Sequence, residues 1–222
     1  MRSSDWEKAQ LVFLKEIANG SRDLGAGGAM LMFAFTALSA VSLALAGATP
    51  EPRLAAALLW IVLFFASTAG VERLFAGEAA EGSLPYLRLY APGNAALLGK
   101  LLYALLTLSI LSAIAVPLFL VLIGGTATDP LGLLAVVALG IVGLSAAGTL
   151  VEALAAFAKA RNGLVSILLF PVVLPIFLPT ISLTGQMLEG GVLDLRRLLS
   201  IGIYDFILIS AASLLFAYVW DR

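Results

Sequence analysis

The residues equipped for chemistry are few, and the missing types decide more than the ones present. Among 222 residues there is no histidine and no cysteine. That excludes imidazole bases, histidine metal ligands, histidine-ligated haem, thiol nucleophiles, cysteine zinc sites and disulfides. A phosphate-binding loop is imitated at 93–100, where Gly93 and Gly99-Lys100 bracket a short run. One residue too many separates the glycines, no strand precedes them, and Leu101 stands where a Ser or Thr would hold magnesium. The segment is rejected as a nucleotide site, because a lysine at the end of an apolar stretch follows from membrane topology alone. Asp205 is the one ionisable residue placed clearly inside an apolar stretch, about two turns from its start. Intramembrane acids face a bundle interior or a wet cavity. Asp205 therefore either lines a cargo path or reaches the interface to pair with Arg196 or Arg197. Glu72 and Glu152 lie where other apolar stretches end, near Arg73, Lys159 and Arg161, and ion pairing or solvation accounts for them. No catalytic or metal-binding residue emerges.

The elements that must position these residues are made almost wholly of apolar side chains. Hydrophobic residues are 61% of the chain and charged ones 12%. That is about half the roughly 25% charge of soluble proteins, too little to clothe a water-facing surface. The formal net charge of -1 provides no basic field for nucleic acid. Residues 24–50, 54–71, 101–128, 130–151 and 162–188 carry no charge, and 198–220 carries only Asp205. Each stretch holds one helix of about 20 residues, the length that crosses a hydrocarbon core of about 30 Å, and none comfortably holds two. Continuous apolar runs also exclude the alternation of barrel strands. The expected fold class is all-α integral membrane, with six spans near 29–47, 54–71, 97–123, 131–157, 163–186 and 199–220.

Lys and Arg favour the cytoplasmic side. With the N-terminus inside, Arg2, Lys8, Lys15, Arg22, Arg73, Arg88, Lys100, Lys159, Arg161 and Arg222 face the cytoplasm. Only Arg53, Arg196 and Arg197 are left outside. Both termini are expected in the cytoplasm.

Outside the spans, two segments carry local signals. Ser4 and Glu7 have capping-box spacing at the start of a helix. On that helix Trp6, Ala9, Phe13, Leu14 and Ile17 fall on one side, and Asp5, Lys8, Lys15 and Glu16 on the other. Asn19-Gly20 is expected to end it, with Gly25, Gly27 and Gly28 forming a turn into the first span. The segment lacks the continuous apolar core of a signal peptide. It is either a helix lying in the interface or an elbow that also rests on a cytoplasmic partner. In the loop after the second span, that span's helix is expected to continue through the Glu78 region, with Gly82 closing it in a left-handed conformation. Ser83 is a natural N-cap and Pro85 suits a first turn. A two-turn helix rich in Leu and Tyr follows, ended by Pro92-Gly93. It serves either as a cover for the bundle's inner end or as a handle for a motor subunit.

Within the spans, Pro171, Pro175 and Pro179 lie four apart on one face, as a kink or a gating hinge. Gly140, Gly143, Ala147 and Gly148 let helices approach closely, inside the subunit or at a dimer seam.

The motif Glu78-x-x-Glu81-Gly82-Ser83-Leu84, followed after a proline turn by Gly99-Lys100-Leu101, resembles the signature of ABC-2-type transporter permeases. Within that group the chain is most similar to the CcmB family, the haem exporter permease of cytochrome c maturation. Trp60 opening a run that ends in Glu72-Arg73-Leu74-Phe75, the turn Lys159-Ala160-Arg161-Asn162-Gly163, and the doubly proline-marked 168–176 fit the same family. The likeness covers most of 8–222. Pro179 and a glycine-rich loop after the fifth span depart from the family pattern.

The resemblance implies a cytoplasmic amphipathic elbow helix over 1–24, a six-span permease domain over 25–222, and a coupling helix between spans two and three. An ATPase is then expected to dock on Glu81, Gly82, Ser83, Leu84, Leu87 and Tyr90, and on the elbow residues Trp6, Phe13 and Ile17. Pro171, Pro175 and Asp205 are the candidates for pathway or gating. The implied partners are two copies of an ABC ATPase carrying the ATP, a second copy of this chain, a haem-handling membrane protein and a haem chaperone, in a bacterial inner membrane. Haem is expected as cargo and not as a bound cofactor: Met30, Met32 and Met187 lie in or at the ends of spans, where packing explains them. The competing readings are an exporter of another lipid or hydrophobic cargo, an ion-coupled carrier, and an intramembrane enzyme. A carrier would need buried acids, and Asp205 is nearly alone; an enzyme would need a nucleophile–base pair that the composition does not supply.

Overall fold

The computed structural model describes residues 3–22, 24–71, 74–75, 78, 82–157 and 164–220. Among these residues the regular structure is entirely helical. The helices are α1 (Ser3–Arg22), α2 (Leu24–Leu45), α3 (Pro52–Val71), α4 (Leu84–Tyr90), α5 (Gly93–Ile123), α6 (Pro130–Phe157), α7 (Leu164–Leu188) and α8 (Leu195–Trp220). Six segments are long and apolar enough to cross a membrane: Gly27–Leu45, Pro52–Ala69, Gly93–Ile123, Pro130–Ala156, Ile167–Leu188 and Leu195–Ala217. Their outer faces carry Phe35, Leu43, Val121, Leu131, Phe206 and Leu214, all more than half exposed. Faces so uniformly apolar have lipid, not water, as their solvent. The chain is a six-span, all-α integral membrane protein.

Several boundaries differ from expectation; α8, for one, begins at Leu195 rather than 199. The third span begins at Gly93 rather than 97, because Pro92 is extended (φ -64°, ψ 154°) and marks a sharp helix start. Asn19-Gly20 does not end α1, which runs on to Arg22, and the glycines at 25, 27 and 28 lie within α2. Gly20 has a packing role instead. A Cβ there would strike the Tyr103 hydroxyl of α5, so the missing side chain makes room for that ring tip.

The centre of the bundle is α6, which packs against α3, α5, α7 and α8. Its small residues are used inside this subunit: a Cβ on Gly140 would meet the Trp60 ring, and one on Gly143 would meet Asp205 and Ile176. Trp60 is fully buried, and its Nε1 donates to Thr184 Oγ1 at 3.0 Å, which fixes α3 against α7. The three prolines of α7 leave it one continuous helix. Pro171 and Pro175 face outward from the bundle and Pro179 is half-buried. Each lacks an N–H and so frees a carbonyl. Hydroxyls crowd this stretch: Tyr204 donates to the Val172 carbonyl at 2.9 Å, and Thr180 to those of Ile176 and Phe177 at 2.8 and 3.0 Å.

The turns α2–α3, α5–α6 and α7–α8 gather at one end of the bundle. Gly124 closes α5 in the left-handed region (φ 64°), and Asp129 and Asp194 accept from the first free N–H groups of α6 and α8. α1 and α4 lie at the other end.

Candidate functional site

Lys100 lies in the second turn of α5 and is fully buried, with 0% of its side chain exposed. A lysine is almost never enclosed without partners, and here two segments, α1 and the stretch after α3, supply them. Its Nζ donates to Glu16 Oε1 of α1 at 2.8 Å and to the Leu74 backbone carbonyl, and stands 2.9 Å from Glu78 Oε2. The Phe75 ring closes one side, 4.6 Å from the ammonium to the ring centre. Glu78 is bound a second time by Lys15, through its other oxygen, and Lys15 also lies 3.5 Å from Glu16. Two ammonium groups thus face two carboxylates, and the cluster is neutral as a whole.

The helices are shaped to bring these charges together. Ala9 and Val12 of α1 press onto Gly99, where a Cβ would sit 2.6–2.7 Å from Val12 and from the Ala9 carbonyl oxygen. Only glycine allows that approach. Ala9 and Val12 of α1 meet Gly99 of α5, and Gly20 lies at the Tyr103 hydroxyl. The face of α1 turned to the protein is therefore Ala9, Val12, Glu16 and Gly20. The apolar side read from the sequence is not the side packed on the bundle: Trp6 and Leu14 stay exposed, as a helix lying in the interface requires, and Phe13 and Ile17 are half-buried. The reason is the glycine notch for Val12 and the carboxylate that Lys100 demands.

Glu78 is joined to the entry of α4 by hydrogen bonds. The Glu78 carbonyl accepts the Ser83 N–H at 2.9 Å, and the Ser83 hydroxyl also points back to it at 3.5 Å. Ser83 was expected to cap α4 with its side chain and does not; Gly82 does adopt the left-handed conformation (φ 68°). Glu81 lies outside the described residues, as do the side chain of Leu84 and all of Glu72, Arg73, Lys159 and Arg161. On α4, Leu87 turns inward at 7% exposure, whereas Tyr86, Leu89 and Tyr90 project at 75%, 87% and 54%. These three are spaced i, i+3, i+4 and form one face. Leu87, expected beside Tyr90 on a docking face, is the foot of the helix instead. The far side is held by α8: Trp220 Nε1 donates to the Ala91 carbonyl at 3.2 Å, its ring lies under Arg88, and Phe216 packs on Phe75 at 5.4 Å.

The remaining candidates lie elsewhere. Asp205 is buried against α6 and α7, and Arg197 is engaged by Asp194 at 3.3 Å and Ser182 at 2.9 Å, so of the alternatives the sequence left open, pairing of Asp205 with Arg197 is not made. Met30 and Met187 are packed in the core, and Met32 faces outward. Glu152 is buried rather than solvated. The run 93–100 is helix from its first residue. The charge cluster of Lys15, Glu16, Glu78 and Lys100 was missed by sequence reasoning, although Gly99-Lys100 and the adjacent Lys15-Glu16 were visible signals. Among the described residues, no three acidic side chains gather as metal ligands.

The arrangement defines a class first: a multi-span helical membrane protein with a short outward-facing helix locked to its first helix through a buried charge cluster. The profile of the CcmB protein family matches residues 7–217, from the first turns of α1 almost to the end of α8. The chain belongs to the CcmB family, and that membership makes it a permease of the cytochrome c maturation ABC transporter. None of the curated proteins searched matches it.

The charge cluster predicts strong non-additivity. Glu16→Gln or Glu78→Gln alone leaves Lys100 one carboxylate, whereas the double variant strands a buried ammonium. Removing a buried charge's partners costs about 3–5 kcal/mol. Unfolding of the purified protein in micelles should show a double-variant loss well beyond the sum of the singles. The second expectation concerns pH. Burial works to lower the Lys15 ammonium, but the hydrogen bond and charge of Glu78, with Glu16 behind it, hold it above the ordinary lysine value of 10.5. A raised folded value means that its contribution is complete below 10.5 and fades as pH rises through the folded value. A fluorophore on Ser4→Cys should report α1 in place from neutral pH to about 10, with release only at higher pH.

Proposed function

We propose that this chain is the membrane half of an exporter complex in a bacterial inner membrane, which converts ATP hydrolysis on a separate ATPase into release of haem-loaded partners or export of haem. The observation that carries this reading is the exposed face of Tyr86, Leu89 and Tyr90. It stands on a helix whose entry is tied through Glu78 to Lys100 and α1. Aromatic and aliphatic groups held rigidly outside a membrane suit a protein partner, because anchors that need no ordering bind with less entropic cost. Push on α4, and the displacement reaches α5 and α1 through the charge cluster.

In this reading α1 (with the segment 1–24) is a cytoplasmic elbow, its exposed Trp6 set in the interface or against the same partner. Residues 25–222 form the permease domain. Two copies of the chain pair with two ATPases, and a haem-handling membrane protein and a haem chaperone complete the complex. The permease itself supplies no strong axial haem ligand. Of the methionines considered, Met30 and Met187 are enclosed by packing and Met32 faces lipid. Haem is a cargo of the complex or of its partners, and another apolar cargo is the alternative outcome.

Docking is tested by Tyr86→Asp and Leu89→Asp, each read by co-purification with the ATPase and by stimulation of ATP hydrolysis. Loss of a central anchor costs about 2 kcal/mol or more, roughly thirty-fold in affinity. Membrane insertion should be unchanged, and undiminished ATPase binding in the double variant would remove this surface from consideration. Orientation is tested on the natural cysteine-free background. Cysteines at Ser4, Ser83 and Asn94 should react with membrane-impermeant reagents only from the cytoplasmic side, and one at Gly190 only from outside.

A further inference from the structure

Asp205 is 3% exposed, and among the described residues no donor reaches either carboxyl oxygen. It lies ten residues into α8, about 15 Å along the helix, which is the middle of a membrane span. One oxygen presses on Gly143 of α6, where a Cβ would sit 2.5 Å away, and Ile176 of α7 shares the same spot. The charged groups around it are remote. α7 contains no Asp, Glu, Lys or Arg between Leu164 and Leu188. The acid of α6, Glu152, is nine residues beyond Gly143, about 14 Å along the axis. On α8 itself Arg196 and Arg197 are about two turns away, with Arg197 committed to Asp194 and Ser182. The neighbouring Tyr204 hydroxyl donates to the Val172 carbonyl. On α5, Lys100 is held by Glu16 and Glu78.

A carboxylate in such a place would be an unpaired ion in hydrocarbon, the most costly state for this side chain. A metal ion would need several oxygen ligands, and Gly143 and Ile176 leave no room for them. The ligand that fits is a proton, which adds no volume. One turn further along α8, toward the α4 end, a small cavity opens between α5, α6 and α8. Ala146 and Ile209 line it nearest Asp205, and Thr149 and Ser213 supply hydroxyls beyond. The Thr149 hydroxyl donates to the Ser145 carbonyl at 2.7 Å and keeps its acceptor sites.

We propose that Asp205 is a proton-binding site within the membrane, loaded in this closed packing and exchanging its proton with water through the cavity at Ala146, Thr149 and Ser213. The step is an O–H bond made or broken at one carboxyl oxygen, with water as the source and acceptor of the proton. The site is independent of where the ATPase docks. It would give a permease with few polar interior groups a device by which opening of the α6–α8 seam changes the charge in its core.

The test is infrared spectroscopy of the full-length protein in lipid nanodiscs at neutral pH. Surface carboxyls are ionised there, so a protonated-carboxyl C=O band is expected from Asp205. It should vanish in Asp205→Asn and shift in frequency in Gly143→Ala. If Asp205→Asn does not fold, selective 13C labelling of aspartate carboxyls should move the same wild-type band. Transfer to heavy water then times exchange at the site, and Ala146→Leu, which fills the cavity, should slow it about tenfold. No protonated-aspartate band in the wild type would overturn the site. An exchange rate unaffected by Ala146→Leu would overturn the route.

Discussion

A fully buried ammonium group is the constraint on which the organisation of this protein turns. Lys100 sits at the head of a long membrane helix with none of its side chain exposed. Its charge is tolerable only because Glu16, Glu78 and the Leu74 carbonyl converge on it. Those groups come from two parts of the chain far apart in sequence, Glu16 from α1 and Leu74 with Glu78 from the segment after α3. Satisfying one cation therefore fixes the position of α1, of the segment after α3, and of the start of α5 at once. The bare backbone of Gly99 is what lets α1 come close enough for Glu16 to reach.

That constraint explains why a seven-residue helix can stand outside the bundle at all. On its own α4 is too short to be stable in water. It is held at its entry by Ser83 bonded to the Glu78 carbonyl, beneath by buried Leu87, and at its exit by Trp220 on Ala91. What remains outward is Tyr86, Leu89 and Tyr90. The exposed face is thus joined to the membrane helices by polar contacts at one end and aromatic contacts at the other. Buried ion pairs are weak evidence for stability but define a unique arrangement, and here the arrangement spans three segments.

The spans were legible because hydropathy reports the solvent directly: a charge-free run of about 20 residues has few other uses. The left-handed Gly82, the break at Pro92 and the close approach at Gly140 and Gly143 were also legible, since each follows from backbone sterics at one residue. The charge cluster was not. Lys100 reads as an ordinary end-of-span lysine, and Lys15 and Glu16 read as a solvated face, because nothing local says that α1 crosses α5 at Gly99. The same blindness put Leu87 on the outer face of α4. A helical pattern gives the spacing of a face, and only the tertiary contact says which face is covered. Asp205 was visible as an anomaly, but its lack of a partner depends on where Arg197 turns, which the sequence leaves open between two choices.

The most direct measurement of the central claim is hydrogen exchange along the chain, in lipid nanodiscs, comparing the wild type with Lys100→Met. If the buried ammonium holds α1 and the approach to α4 to the head of α5, amides over 9–17 and 84–90 should exchange about a hundredfold faster in the variant. That factor corresponds to roughly 3 kcal/mol, the lower range for a broken buried pair, while amides in the middle of α6 keep their protection. Unchanged protection over 9–17 would contradict the account.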